Sequence, residues 1–220
     1  MGHEAILQPM LRVVFAPHPE ALPEPAAIVA TSRNGVRALS GWPIARAWRG
    51  RPLFVTGKGS TATAREAGFG DVRPGGADAA SLAERLMAEI ATGSGPILYV
   101  AGRDRAGALA GGLTALGYDL RLVEAYRAEP IAALDADVAA ALAGGRIDGI
   151  LLFSQRTTAA FRAAIGAAGL DGALAATPCY AISERAAEPL RGVARDIRIA
   201  LHPDFDGIAA LIGAAGTQLA

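Results

Sequence analysis

The sequence predicts an α/β fold made of two related parallel-sheet halves, and three observations predict it. Short β-rich runs alternate with Ala- and Leu-rich stretches of helical spacing along most of the 220 residues. Motifs of the first half return, in the same order, in the second. The β-rich runs end in Ser, Thr, Gly and Arg just where helical patterns begin. Strand–helix–strand alternation of this kind gives parallel sheets covered by helices on both faces.

The strands are read in order as "AAIVAT" (26–31), "PLFVT" (52–56), "PILYVA" (96–101), "DLRLVEAY" (119–126), "GILLFS" (149–154), "PCYAIS" (178–183) and "DIRIA" (196–200). Helical patterns stand between most of them. These are "TATAREAG" (61–68), "AASLAERLMAEIA" (79–91), "AGALAGGLTALG" (106–117), "DADVAAALAGG" (135–145) and "TAAFRAAIGAAG" (158–169). Their Ala and Gly content suits close packing on a sheet. Pro and Gly punctuate "APHPEALPEP" (16–25), which reads as a linker or crossing. A second crossing is read near "AYRAEPIAALD" (125–135).

The repeat supports two halves. "IVATSRNGVRAL" aligns with "LLFSQRTTAAF", "PLFVTGKGSTATAREAGFGDVR" with "PCYAISERAAEPLRGVARDIR", and "GGADAASLAERL" with "DFDGIAALIGAA". The offset between partners grows slowly along the chain, as loop insertions between related α/β halves produce. Segment 96–126 has no evident partner in the second half.

Composition bounds the function. The chain is 52% hydrophobic and 19% charged, enough apolar residue for a sizeable core. Lys+Arg and Asp+Glu both number 21, so the basic excess usual for a nucleic-acid binder is missing. No run of about 18 apolar residues predicts a membrane span. The single cysteine, Cys179, sits in apolar "TPCYAI". It reads as a small buried hydrophobe, and a lone cysteine fits a reducing cytosol. No Cys/His/Asp cluster has metal-ligand spacing, and no Ser/His/Asp set is placed.

Ligands of open parallel sheets bind beyond the carboxyl ends of the strands. Those ends carry Thr31-Ser32-Arg33-Asn34, Thr56-Gly57-Lys58-Gly59-Ser60-Thr61, Ala101-Gly102-Arg103-Asp104-Arg105, Ser154-Gln155-Arg156-Thr157-Thr158 and Ser183-Glu184-Arg185. Ser and Thr at such positions cap helix N–H groups, and the helix dipole there favours anions. Capping alone accounts for any one loop. Five loops, several with Arg or Lys, point to a site that grips a polyanion through many weak donors. "GKGSTA" (57–62) also matches a dinucleotide fingerprint, but the acid it needs would have to be Asp78, from a Gly-rich loop. A Walker A loop fails, because Lys58 is followed by Gly59.

The series "TSRNGVRAL", "VTGKGSTATAREAGF", "ILYVAGRDRAGALAGGLTALGYDL", "VEAYRAEP", "ILLFSQRTTAAF" and "YAISERAAEPL" resembles the uroporphyrinogen-III synthase family in order and spacing over residues 2–215. The resemblance implies two pseudo-symmetric, flavodoxin-like α/β domains joined by a two-stranded connector, with the active site in the cleft between them. One domain would be continuous (17–122) and the other discontinuous (1–10 with 129–220), with 11–16 and 123–128 as connector. It implies a cytoplasmic, monomeric, cofactor-free lyase acting on hydroxymethylbilane, with no nucleic-acid or membrane partner. In that reaction the linear tetrapyrrole loses water and closes with inversion of its last pyrrole ring. The substrate carries acetate and propionate on every ring, which suits the capped strand ends.

Carried over by position, the resemblance makes Tyr126 the candidate that assists loss of the hydroxyl. Substrate contacts fall to Thr31, Ser32, Arg33, Asn34, Gly57, Ser60, Thr61, Gly102, Arg103, Ser154, Gln155, Arg156, Ser183 and Glu184. The family's first Gly-x-x-Thr-Ala loop is matched by Gly57-x-x-Ser60-Thr61; in its second equivalent, Ser183-Glu184-Arg185-Ala186, Gly and Thr are both lost. Family members place a strand, a Thr-Arg-Pro-like loop and a helix ahead of the segment matching "GHEAILQP". Either the start is read too late here or this chain lacks that βα unit. The expectation is a discontinuous-domain sheet short of an inner strand, with "EAILQP" lacking its usual neighbour. Two other readings stay open: a nucleotide- or NAD-binding enzyme using Gly57–Ala62, and a degenerate synthase-like module that binds without turnover.

Overall fold

A computed structural model describes residues 3–76, 78–104 and 107–217. The chain divides into two units, Val13–Ala128 and Met1–Arg12 with Glu129–Ala220.

In the first unit the order is β1 (Leu11–Phe15), β2 (Ala27–Ala30), α1 (Arg33–Ser40), β3 (Leu53–Val55), α2 (Gly57–Glu66), β4 (Val72–Pro74), α3 (Ala79–Glu89), β5 (Ile97–Gly102), α4 (Gly107–Ala115) and β6 (Leu120–Pro130). The unit boundary falls inside β1 and β6. The strands lie in the order β1-β6-β5-β2-β3-β4, and every pair from β6 to β4 is parallel. β2 is "AIVA", buried along its whole length, as a central strand covered on both faces must be. Its Ile28 and Ala30, with Leu98 and Val100 of β5, pack against Val36, Leu39, Trp42, Trp48 and Phe69. Its Ala27 and Val29, with Ile97 and Tyr99, pack on the other face against Leu82, Leu86 and Leu113. The alternation follows from the two-residue period of a strand.

β1 is a strand that pattern reading passes over. Its side chains are exposed or half-buried, so no alternation marks it, and pairing with β6 makes it one. Just beyond it, Ala16 N donates to Ala125 O at 2.9 Å. β6 also runs four residues past the end of "DLRLVEAY".

The second unit adds α5 (Ala136–Ala143), β7 (Ile150–Leu152), α6 (Gln155–Ala167), α7 (Asp171–Ala176), β8 (Cys179–Ala181), α8 (Glu184–Ala187), β9 (Ile197–Ile199) and α9 (Phe205–Thr217). Its sheet is β7-β8-β9, all parallel. Leu152, Cys179 and Ala181 pack with Met10, Phe161, Ala164, Ile165, Leu174 and Leu190. α9 lies against β8 and β9 and buries Ile208. β7 is an edge strand, with Leu151 41% exposed and the following Phe153 49% exposed. Residues 3–10 form no strand; Gln8 Oε1 accepts a hydrogen bond from Asp135 N at 2.9 Å. Among the described residues, no helix is long and apolar enough to cross a membrane.

Candidate active site

In the first unit, the carboxyl ends of β2, β3, β5 and β6 bring most of the predicted residues together. β5 and β6 run in register from Ile97↔Leu120 to Ala101↔Glu124, then shift so that Gly102 faces Tyr126. The half-buried Tyr126 ring lies against Gly102: a Cβ there would stand 2.6 Å from Tyr126 Cζ. Only glycine leaves room for the ring at that point. The Tyr126 hydroxyl lies 2.8 Å from Ser32 Oγ.

Ser32 is extended backbone between β2 and α1, and its Oγ accepts from Gly35 N at 3.0 Å, capping the helix. The start of α1 is pressed on the sheet; a Cβ on Gly35 would meet Val100 O at 2.8 Å. Thr31 Oγ1 is 3.1 Å from Tyr99 Oη, and Thr56 Oγ1 donates to Thr31 O at 2.9 Å. Thr56 therefore ties two strand ends together and does not cap α2, unlike the expectation for that loop. Gly57 opens α2 with φ of +73° and donates to Gly76 O at 2.8 Å. Ser60 and Thr61 are buried, and Thr61 Oγ1 donates to Gly57 O at 3.0 Å.

Arg33 is exposed, and its stem crosses Gly59, where a Cβ would approach Arg33 Cδ to 3.1 Å. Lys58 is exposed beside it in sequence with Gly57 and Gly59, and neither cation has a carboxylate partner among the described residues. Asn34 is half-buried in the first turn of α1. Arg103 differs: its Nε donates to Glu124 at 3.2 Å, while its backbone N donates to Tyr126 O at 3.0 Å. Arg105 lies outside the described residues. The electropositive end is thus two helix starts, Arg33 and Lys58, beside a tyrosine hydroxyl. Sequence reading left Lys58 out of the contact set, although its place in the Gly57–Gly59 loop was the signal for it.

In the second unit, Ser154 caps α6 through Thr157 N at 3.2 Å, and its Oγ lies 2.7 Å from Thr157 Oγ1. Ser183 caps α8 through Ala186 N at 3.2 Å. Gln155 is engaged at both ends: Arg185 Nε donates to its Oε1 at 2.9 Å and its Nε2 donates to Glu188 at 2.6 Å. Glu184 is paired with Arg191, and Arg156 is exposed on α6 with a partner of its own. Ser154 and Ser183 stand at the ends of neighbouring strands β7 and β8, so their capped helix starts face the same end of that sheet.

The remaining features fit other tasks. Asp78 caps α3, accepting from Ser81 N at 2.8 Å, and that bond holds its carboxyl below the usual range. An acid so used is not the free ribose acceptor that a dinucleotide fingerprint needs. Burial, with help from the charge of Asp196, pushes the Cys179 thiol up to about 11, far from a nucleophile's range. Among the described residues no three His, Cys, Asp or Glu side chains are placed to hold a metal ion. A hollow of about 410 Å³ lined by Trp42, Arg46, Arg49 and Phe69 lies at the far end of α1 and holds none of the predicted site residues.

Comparison with known proteins bears on this arrangement. A family model described as uroporphyrinogen-III synthase HemD matches residues 1–210. No curated protein matches the chain. Among solved structures, the uroporphyrinogen-III synthetase of Helicobacter pylori is similar at a TM-score of 0.65 and 16% identity, with 94% of this chain and 91% of that chain covered. A mutant uroporphyrinogen III synthase from the extremely thermophilic bacterium Thermus thermophilus is similar at a TM-score of 0.52 and 19% identity, over 96% of this chain and 87% of that one. The structural matches carry the mixed α/β fold with parallel sheets, and the family match carries the function in tetrapyrrole biosynthesis; neither favours the nucleotide or non-catalytic readings. The chain belongs to the uroporphyrinogen-III synthase family.

Proposed function

We propose that this chain binds the acetate and propionate groups of hydroxymethylbilane at its capped helix starts and uses Tyr126 to release the substrate's hydroxyl. The hydroxymethyl carbon of the first ring loses its oxygen as that oxygen takes a proton from the Tyr126 hydroxyl. Water departs, and the first ring, having lost its N–H proton, is left as an azafulvene. The substituted carbon of the last ring attacks it to give a spiro-pyrrolenine. That intermediate fragments, and the last ring recloses through its unsubstituted carbon. The ring nitrogen regains its proton once its exocyclic carbon is bonded, and the proton lost from the last ring's carbon balances the one spent on water, so the reaction is a hydro-lyase's and consumes no co-reactant.

The observation that carries this reading is the placement of Tyr126. Its ring is half-buried, and its hydroxyl meets Ser32 between the end of β2 and the start of α1, where Arg33 has no carboxylate partner among the described residues. Anionic side groups seated on α1 and α2 would meet backbone N–H groups and the side chains of Arg33 and Lys58, which have no carboxylate partner among the described residues. Holding a flexible tetrapyrrole curled accounts for much of the rate, since spontaneous closure does not invert the ring.

We further read the units as copies of one fold, with β1 and β6 as connector. β2–β3–β4 and β7–β8–β9 share one register pattern, and Ser32 and Ser154 each follow a strand and cap the helix after it. We also read the enzyme as monomeric, from the family resemblance, and as cytoplasmic, a reading that the lone, buried cysteine supports. The test is Tyr126→Phe: turnover falls about 10²-fold while product binding stays within twofold, as loss of a general acid predicts. Unchanged turnover would reduce Tyr126 to a packing residue.

A further inference from the structure

Ser32 was assigned to substrate contact by position alone. Its surroundings point elsewhere. A serine hydroxyl has one hydrogen and can accept two. Gly35 N–H takes one acceptor site of Ser32 Oγ at 3.0 Å. The only other hydrogen-bond partner of Ser32 Oγ among the described residues is Tyr126 Oη, at 2.8 Å. Tyr126 Oη in turn has no second partner there. Either direction of that contact leaves one hydroxyl hydrogen over. One of them fits a proton-donating tyrosine: Gly35 N–H donates to Ser32, Ser32 O–H donates to Tyr126, and the phenolic hydrogen is left free. The opposite direction spends the phenolic hydrogen on Ser32 and withholds it from a substrate.

We propose that Ser32 is a positioning residue for Tyr126, donating its proton to the phenol oxygen so that the phenolic hydrogen is aimed at the substrate. This rests on the reading of Tyr126 as the proton donor. Three segments fix the geometry. The β2–α1 turn sets Ser32, β6 sets Tyr126, and the register shift at Ala101/Gly102 with the bare Gly102 lets the ring lie close enough for the two hydroxyls to meet. The bonds form a head-to-tail chain that starts at the N-terminus of α1. Each donor polarises the next, and the positive end of the helix lies behind all of them. Charge that develops on the phenol oxygen as its proton leaves is stabilised by the Ser32 bond. The bond therefore acts on the rate of hydroxyl loss and not on the hold on the side groups.

The test compares Ser32→Ala, Ser32→Thr, Tyr126→Phe and the double variant Ser32→Ala/Tyr126→Phe with hydroxymethylbilane. Ser32→Ala is expected to lower kcat about tenfold, the worth of one hydrogen bond made in the transition state, with KM within about twofold. Ser32→Thr, which still caps and donates, recovers most of that loss. In the Tyr126→Phe background Ser32→Ala costs nothing further, because the group it aims is gone. Should Ser32→Ala fold poorly, Ser32→Asp carries the same expectation for kcat: its carboxylate still caps Gly35 but has no proton to give. A raised KM with kcat intact, or an equal loss in the Tyr126→Phe background, would overturn the proposal and return Ser32 to direct substrate contact. Normal turnover in Tyr126→Phe alone would sink the proton-donor reading, and this proposal with it. The two failures are told apart by which single variant stays active.

Discussion

Arg73 of β4 lies 5.6 Å over the ring of Phe54 in β3. Its guanidinium is held there by Asp71 at 2.7 Å and Glu89 at 2.8 Å. Arg198 of β9 stands 5.7 Å over Tyr180 of β8 and is held by Asp196 at 2.8 Å. The registers Phe54↔Arg73 and Tyr180↔Arg198 match strand for strand. In each unit an Asp-x-Arg sequence closes the last strand pair over an aromatic ring.

This arrangement makes stability depend on acid. The Arg73 hydrogen bond holds the Asp71 carboxyl below its ordinary value, and Arg85, then Arg73, does the same for Glu89. A carboxyl lowered in the folded state stabilises above its unfolded pKa of about 4, and the contribution is lost as pH falls through the folded value. Acid titration of folding should therefore show a loss below about pH 4 that is shallower in Asp71→Asn. The difference should not exceed about 1 kcal/mol, because the Asp71 side chain is 36% exposed. An acid slope untouched by Asp71→Asn would show the pair to be energetically silent.

Cys179 offers a reporter on the second unit. It is wholly buried in β8, and its thiol is pushed up to about 11. At pH 8 iodoacetamide should label it only when the unit opens, at a rate that rises with denaturant alongside loss of helical signal. A raised folded pKa stabilises below the unfolded value of about 8.5 and is lost as pH climbs through 11. Labelling at the rate of a free thiol in buffer would place Cys179 outside the core.

Glycines separate by what surrounds them. Gly35→Ala would set a methyl 2.8 Å from the Val100 carbonyl, a backbone atom that cannot yield without moving β5. A cost of about 1–3 kcal/mol is expected, read as a lower denaturation midpoint. Gly111 lies inside α4 with open space around it, so Gly111→Ala should raise stability by about 0.5–1 kcal/mol. Equal effects at the two positions would contradict the close approach of α1 to β5.

Much of the scaffold and little of the site's geometry could be read from the chain. The strand "AIVA" announces itself by apolar, β-branched content, and Ser32, Ser154 and Ser183 by their place between strand and helix. The Asp-x-Arg pairs lay in the aligned repeat, but their stacking on Phe54 and Tyr180 is a cross-strand relation that no linear pattern states. β1 shows no alternation of its side chains, so no strand pattern marks it, and only the resemblance puts a connector segment at 11–16. The bond between Ser32 and Tyr126 depends on a register shift at Ala101/Gly102 and joins residues 94 positions apart, so Gly102 reads in the sequence as a substrate contact and not as room for the Tyr126 ring. The Thr56 hydroxyl was read as a cap, yet the carbonyl of Thr31 is its acceptor.

The edge of the second sheet gives a further expectation. Ile150 donates to Pro178 O and Leu152 accepts from Ile182, so both face β8, and Leu151 faces away from it. Val29 of β2 has a strand on either side. The Leu151 amide should exchange with solvent hydrogen orders of magnitude faster than that of Val29. Matching protection at both amides would mean that something covers the free edge of β7 in solution.

The central claim is that this chain closes hydroxymethylbilane with inversion through the proton of Tyr126. The most direct measurement is the isomer ratio of the product after incubation with freshly made hydroxymethylbilane, oxidation to the porphyrin and chromatographic separation. The account predicts the inverted type III isomer in large excess with the native chain, and a shift toward the non-inverted type I isomer with Tyr126→Phe as spontaneous closure overtakes a slowed enzyme. The type I isomer alone, formed at the rate seen in buffer with the native chain, would contradict it.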